Sequence, residues 1–297
     1  MRVGFIGLGN MGGRMTRRLV DAGTPVLGYD TDPERAAAAG ASPAPSVRAV
    51  VEGSDVVLLS LPDSAVVEAV VLGAGGVLES GRAGQIVADL STAAPASTVR
   101  IHAALAAIGV DYLDAGISGG AAAAERGTLT IMVGGSSQAL STVEALFAAF
   151  ATSVVHMGQP GAGHTTKVLN NFLNAISLAA TAEVMVAAKR AGLDLAQVLD
   201  VLNASSGVNF ATLNRFPHII KGDYLEGGLT NSLMTKDVTL YVDCLGQLGV
   251  PSLSAAGPLA AFGLANNLGY ADRISNRVVD AIGDIAGGIR LHTPEGH

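Results

Sequence analysis

The sequence predicts an α/β protein: a doubly wound, mainly parallel sheet in the first half and an all-α second half. Three observations carry this. Short β-branched runs alternate with Ala-rich helical patterns up to about Gly158. Strand-like runs stop after Gly163, and helical patterns follow. The first strand runs straight into the glycine turn "GLGNMGG". With 297 residues the chain has enough length for two cores. The expected division is 1–160 for the sheet domain, 161–290 for the helical domain and 291–297 for a frayed tail.

The strand runs, in order, are "VGFIG", "PVLGYD", "DVVLLSL", "QIVADLS", "DYLDAGIS", "TLTIMVGG" and "SVVHMG". Each ends in glycine or a polar residue, where the chain turns out of the sheet. The first six or so fit a doubly wound sheet, whose ligand lies beyond the carboxyl ends of the strands. After them the pattern is helical from Thr165 to about Ala191, then near Leu195–Ala204, Thr235–Leu248, Leu253–Leu268 and Ile274–Ala286.

Composition narrows the function. The net charge of −7 argues against a nucleic-acid surface, which needs clustered Lys and Arg. The single cysteine, Cys244, leaves no internal disulfide and reads as a small buried apolar residue. His102, His156, His218, His292 and His297 show no ligand spacing, so no metal is expected. The apolar run of "MRVGFIGLGN" is too short for a signal core. The uncharged stretch from Cys244 to Ala271 contains prolines, asparagines and glycines, and so reads as a buried helix rather than a bilayer span. The expectation is a cytoplasmic protein with no membrane or nucleic-acid partner.

The glycine turn carries the first chemical signal. It follows a strand, opens a helix, and precedes Asp30 at the end of the next strand, which is the dinucleotide fingerprint of a Rossmann-like domain. Gly7 makes the tight turn, Gly9 admits a pyrophosphate to the backbone, and Gly12 lets helix and strand approach. Leu8, Asn10 and Met11 complete the cradle, with helix N–H groups and dipole toward the phosphates. Asp30 accepts from both ribose hydroxyls of NAD and repels the 2′-phosphate of NADP. The next residue is Thr31, not the arginine a 2′-phosphate favours, so NAD is expected over NADP.

The second signal is "GAGHTTKVLNNFLN". Lys167 and Asn171 are four apart and share a helix face, with Asn174 one turn further. Val168, Leu169, Phe172 and Leu173 around them are apolar, so the lysine needs a partner or a lowered pKa. The other reading is a lysine that carries its head to solvent beside a capping asparagine. His164 reads as a surface residue at a helix start, or as a supporting group behind Lys167. The third signal is Ser118, Gly119 and Gly120, where successive N–H groups can converge into an anion nest, or form a plain loop.

These stretches together resemble the β-hydroxyacid dehydrogenase family, which includes 3-hydroxyisobutyrate dehydrogenase and is related to 6-phosphogluconate dehydrogenase. The resemblance covers nearly the whole chain in the family's order: "GFIGLGNMGGRM", Leu61 and Pro62, "DLSTAAP", "SGGAAAAERGTL", "GAGHTTKVLNN" and "LMTKDV". It implies Lys167 as the catalytic lysine and Asn171 as its substrate partner. It implies Ser118–Gly120 as the substrate-carboxylate loop, and Thr92 on both the substrate and the cofactor side. Leu61 and Pro62 fall near the cofactor, and Lys236 near the nicotinamide. The chain departs from the family at Gly116 and Ile117, where members usually read Pro-Val, a change at the pocket floor that leaves the nest intact. It carries Asn170 where 6-phosphogluconate dehydrogenases usually have histidine, and it is too short for their enlarged helical domain.

The expected activity is reversible, NAD-dependent oxidation of a small β-hydroxy acid, with Lys167 as general acid and base. The alternatives are an imine reductase of related fold, which usually lacks the lysine, and a non-catalytic NAD-binding sensor. The stretch Leu253–Leu268 is apolar on more than one face, which predicts a homodimer or homotetramer.

Overall fold

The computed structural model describes residues 1–292. The chain forms two compact units, Met1–Lys167 and the residues from Val168 onward.

The first unit is built on one eight-stranded sheet. Its strands are β1 (Val3–Ile6), β2 (Val26–Tyr29), β3 (Ser42–Pro43), β4 (Val56–Leu59), β5 (Ile86–Asp89), β6 (Asp111–Ser118), β7 (Leu129–Gly134) and β8 (Ala151–Gly158). The order across the sheet is β3-β2-β1-β4-β5-β6-β7-β8. Strands β1 to β6 pair in parallel, β7 runs antiparallel to β6, and β8 runs parallel to β7. All seven strand runs of the sequence are present. The two-residue β3 is an addition, too short to leave a pattern.

The central strands β1, β4, β5 and β6 are buried on both faces because helices cover both, whereas the edge strands β3 and β8 are largely exposed. Phe5, Leu58 and Leu113 point to one side and pack with Met15 and Leu19 of the helix Gly12–Asp21. Ile6, Leu59 and Tyr112 point to the other and pack with Ile101 and Leu105 of the helix Pro95–Ala106. The period-2 alternation of β-branched and aromatic residues is what permits two cores on one sheet. The strand order turns around between β1 and β4, so a crevice opens beyond their carboxyl ends.

The second unit is helical. The long helix Ala162–Arg190 begins in the first unit and continues as the spine of the second. Phe172, Ala175, Leu178, Ala182 and Met185 recur every three or four residues and fill the second core with Phe216, Met234, Phe262 and Val278. By length and composition this helix is long and apolar enough to cross a membrane, and 56% of its apolar window is buried inside the protein. The stretch from Cys244 to Ala271 is not one helix. Gly249 in the left-handed region ends the helix Asn231–Leu248, a 3-10 turn covers Leu253–Ala255, a helix covers Ala256–Ala265, and a π turn follows at Asn266–Tyr270. Two short helices, Phe210–Asn214 and Phe216–Ile219, were not in the sequence pattern; the first starts at a capping box made by Asn209 and Thr212. Cys244 is buried, as expected. Of the expected tail, Leu291 packs into the helical core and residues 293–297 lie outside the described residues.

Candidate active site

The cofactor turn is shaped by contact with its neighbours. Gly7 has φ +88°, and a Cβ there would lie 2.3 Å from the Ser60 carbonyl oxygen beyond β4. A Cβ on Gly12 would lie 1.9 Å from the Gly7 carbonyl oxygen, so helix and turn touch only because both residues are glycine. At Gly9 a Cβ would meet only the Arg35 guanidinium, at 3.4 Å. The turn is therefore closed beneath Gly7 and Gly12 and open above Gly9. No side chain caps the start of the helix Gly12–Asp21. Asp30 closes the crevice on the β2 side, its carboxylate accepting from the Leu8 N–H at 2.7 Å and the Asp32 N–H at 2.9 Å. Leu61 donates its N–H to Ser91 Oγ at 2.9 Å, which ties the ends of β4 and β5 together. An open glycine, an uncapped helix start and a carboxylate at the end of β2 fit a dinucleotide.

Arg35 was not part of the sequence reading. Its guanidinium lies 3.7 Å from the Asp30 carboxylate and pairs with Asp32 at 3.2 Å. It lines a cavity of about 470 Å³ beside the turn, together with Arg14, Arg17 and Arg18. The carboxylate expected to repel a 2′-phosphate is thus partly offset by a cation.

Lys167 is held by the end of the sheet. It is 9% exposed. Its stem lies on Gly116 of β6, where a Cβ would come within 2.6 Å of Lys167 Cβ and 3.0 Å of Cγ. In this chain the lysine stem occupies the space that a side chain at position 116 would take. Ser118 is two residues along the same strand and so on the same face. Gly119 and Gly120 follow with φ of +125° and +70° and are exposed, a backbone in which consecutive N–H groups can face one ligand. Thr92, just past β5, is half-buried.

Behind Lys167 is a buried polar network. Asp114 of β6 accepts from the Gly161 and His164 N–H groups, both at 2.8 Å, and so caps the helix that carries Lys167. A carboxylate there satisfies two helix-start amides and matches the helix dipole. His164 has no exposed surface, which corrects the surface reading. Its Nδ1 lies 2.7 Å from Thr98 Oγ1 and its Nε2 lies 3.2 Å from the Asp89 carbonyl oxygen. A carbonyl can only accept, so Nε2 carries a proton; in the neutral ring Nδ1 then accepts from the Thr98 hydroxyl, whose oxygen also lies 3.3 Å from the Ala94 carbonyl oxygen. Tyr112 donates to Asp89 Oδ2 at 2.7 Å. Burial, and then the Asp89 carboxylate, hold the Tyr112 phenol well above its usual pKa, so it remains a donor.

In the second unit Asn171 is 5% exposed and donates from Nδ2 to Asp237 Oδ2 at 2.6 Å. Asp237 Oδ1 lies 3.3 Å from Lys236 Nζ. One buried carboxylate therefore orients both Asn171 and Lys236. The sequence reading placed Asp237 beside Lys236 in "LMTKDV" without a role, and passed over Asp114 and Asp89. The signal was available: each is a carboxylate inside an otherwise apolar or buried run, where a charge needs a partner.

Residues 2–158 match the NAD binding domain of 6-phosphogluconate dehydrogenase. Residues 161–281 match the family described as NAD-binding of NADP-dependent 3-hydroxyisobutyrate dehydrogenase. The chain is 37% identical to the NAD-dependent L-serine dehydrogenase of Pseudomonas aeruginosa, over 92% of this chain and 94% of the relative. It is 33% identical to the 2-(hydroxymethyl)glutarate dehydrogenase of Eubacterium barkeri, over 92% of each. Among solved structures it is similar to Mycobacterium tuberculosis 3-hydroxyisobutyrate dehydrogenase with L-serine, with a TM-score of 0.84 and 29% identity, covering 95% of this chain and 99% of that one.

Proposed function

The chain belongs to the β-hydroxyacid dehydrogenase family, NAD-dependent oxidoreductases acting on the CH–OH group of hydroxy acids, and we propose that it oxidises a small β-hydroxy acid with Lys167 as the acid–base group. The observation that carries this reading is the seating of Lys167 against Gly116, on the strand that leads into Ser118, Gly119 and Gly120.

In this mechanism the Ser118–Gly120 nest binds the substrate carboxylate through converging N–H groups. Thr92 supplies a hydroxyl beside it. Asn171, one helical turn beyond Lys167 and fixed by Asp237, orients the reacting hydroxyl. Lys167 Nζ takes the hydroxyl proton during oxidation and returns it during reduction. Burial of the stem keeps bulk water away from that proton, and a positioned group of this kind contributes roughly 10²–10⁴-fold. NAD, held by Gly7, Leu8, Gly9, Asn10, Met11, Gly12, Asp30, Leu61, Pro62 and Thr92 with Lys236 as a nearby cation, supplies the hydride acceptor when bound. Residues 1–160 are the cofactor domain in this reading and 161–290 the substrate domain.

The protein is further read as a cytoplasmic homo-oligomer. Leu248, Val250 and Leu253 are exposed, Leu253 to 86%, and a second copy would cover such a run. Light scattering at micromolar concentration tests this, and a monomer contradicts it. A panel of hydroxy acids with NAD, followed at the reduced-nicotinamide absorbance, tests the activity. Turnover of at least one β-hydroxy acid is expected, and none across the panel contradicts the proposal.

A further inference from the structure

Arg215 is a guanidinium to which the mechanism above gives no task. It lies between the short helices Phe210–Asn214 and Phe216–Ile219. Nη1 donates to Asn276 Oδ1 at 2.6 Å, and Nη2 donates to Asn174 Oδ1 at 2.9 Å. The Phe210 ring lies 5.8 Å from Cζ. Asn276 is itself fixed, donating from Nδ2 to the Tyr224 carbonyl oxygen at 2.8 Å.

Both amide partners are neutral. Elsewhere in the same unit arginines find carboxylates: Arg277 pairs with Glu226 and Asp280, and Arg290 pairs with Asp280 and Asp284. Arg215 has no such pair among the described residues. Burial pulls its guanidinium down to about 10, so its charge is maintained at a desolvation cost that no fixed anion offsets. Two amide oxygens leave three of its five N–H donors for another acceptor. A planar fork of donors with an uncompensated charge matches a carboxylate.

Its position gives the anion a source. Asn174 stands three residues after Asn171 on one helix, and residues so spaced are neighbours, roughly 5–6 Å apart at Cβ. Asn171 holds the reacting hydroxyl in the mechanism above, and Arg215 is anchored one turn further along. That separation is the reach of a short acyl chain.

We propose that Arg215, aimed by Asn174 and Asn276, receives a second carboxylate at the far end of the substrate, so that the preferred substrates are hydroxy diacids. This rests on the assignment of Asn171 to the reacting hydroxyl.

The test uses two β-hydroxy acids of equal chain length, one ending in a methyl group and one in a carboxylate. Wild type is expected to favour the diacid in kcat/KM by about tenfold to hundredfold, the worth of a charge-assisted hydrogen bond. Arg215→Gln should reduce that ratio to near unity, and Arg215→Lys should keep part of it. Equal use of the two acids by wild type overturns the proposal, and so does an Arg215→Gln protein that loses both substrates in the same proportion. If the glutamine variant does not fold, the wild-type ratio and the lysine variant decide. If wild type oxidises neither acid, the hydroxy-acid reading fails by itself. Calorimetry with glutarate and pentanoate then decides the subsite: tighter glutarate binding that Arg215→Lys weakens supports it, and equal binding overturns it.

Discussion

Replacing Gly116 by Ala perturbs Lys167 while leaving its amine in place as a functional group. The new Cβ would stand 2.6 Å from Lys167 Cβ, 3.0 Å from its Cγ and 3.4 Å from the Gly163 carbonyl oxygen. Carbon atoms rest at about 3.5–4.0 Å, so the lysine stem must retreat by about 1 Å. The helix start offers little slack, because Asp114 ties Gly161 and His164 to the same strand. Gly116 does not have a positive φ, so the cost is steric alone. Overpacking of this kind costs about 1–3 kcal/mol, and a displacement of about 1 Å at a reacting group can cost on the order of 10²-fold in rate. The assay pairs kcat on the best hydroxy acid with NAD affinity by calorimetry and stability by urea unfolding. The expected result is kcat lower by about 100-fold, NAD affinity within about twofold, and stability lower by about 1–3 kcal/mol. A variant that loses this stability yet keeps its full kcat would show that the strand does not set the position of the acid–base group.

Wild type should use NAD better than NADP, and Arg35→Ala should widen that gap by about tenfold, because it removes the cation that offsets Asp30; steady-state kinetics with both cofactors check this, and an unchanged ratio counts against a role for Arg35. Asp114→Ala leaves the Gly161 and His164 amides unsatisfied and should cost about 2–4 kcal/mol in urea unfolding; a loss under about 0.5 kcal/mol would contradict the capping role. Asn171→Ala should raise KM and lower kcat together, each by roughly tenfold, since it loosens the hydroxyl rather than removing the base; a change in KM alone would limit Asn171 to binding.

The strands were legible because each is a short β-branched run punctuated by glycine or a polar residue. The cofactor crevice was legible because its geometry depends on Gly7, Gly12 and Asp30, whose spacing along the chain is the geometry itself. The antiparallel β7 was not foreseen, although the connection from Ser118 to Leu129 is short for a parallel crossover. The break after Leu248 was legible from Gly249 and Pro251, and Leu253–Leu268 is helical as its pattern suggested, although uniform apolarity hid its passage from 3-10 through α to π turns. The network of Asp89, Thr98, Asp114 and His164 joins residues far apart in sequence, and no local pattern encodes their meeting. Gly116 was visible as a departure, but the close packing of the lysine stem on it was not.

The most direct test of the mechanism is turnover by Lys167→Ala, with NAD affinity measured on the same preparation. The turn Gly7–Gly12 and Asp30 stay intact in this variant, so NAD should bind within about twofold of wild type while kcat falls by about two orders of magnitude or more. Lys167→Arg should restore little, because a guanidinium keeps its proton near neutral pH. In wild type, oxidation should speed up with rising pH as the lysine gives up its proton, and this dependence should vanish in the variant. A Lys167→Ala protein, purified free of host enzymes, that oxidises its best hydroxy acid at a near-normal rate would contradict the account and direct the search for the proton acceptor to His164.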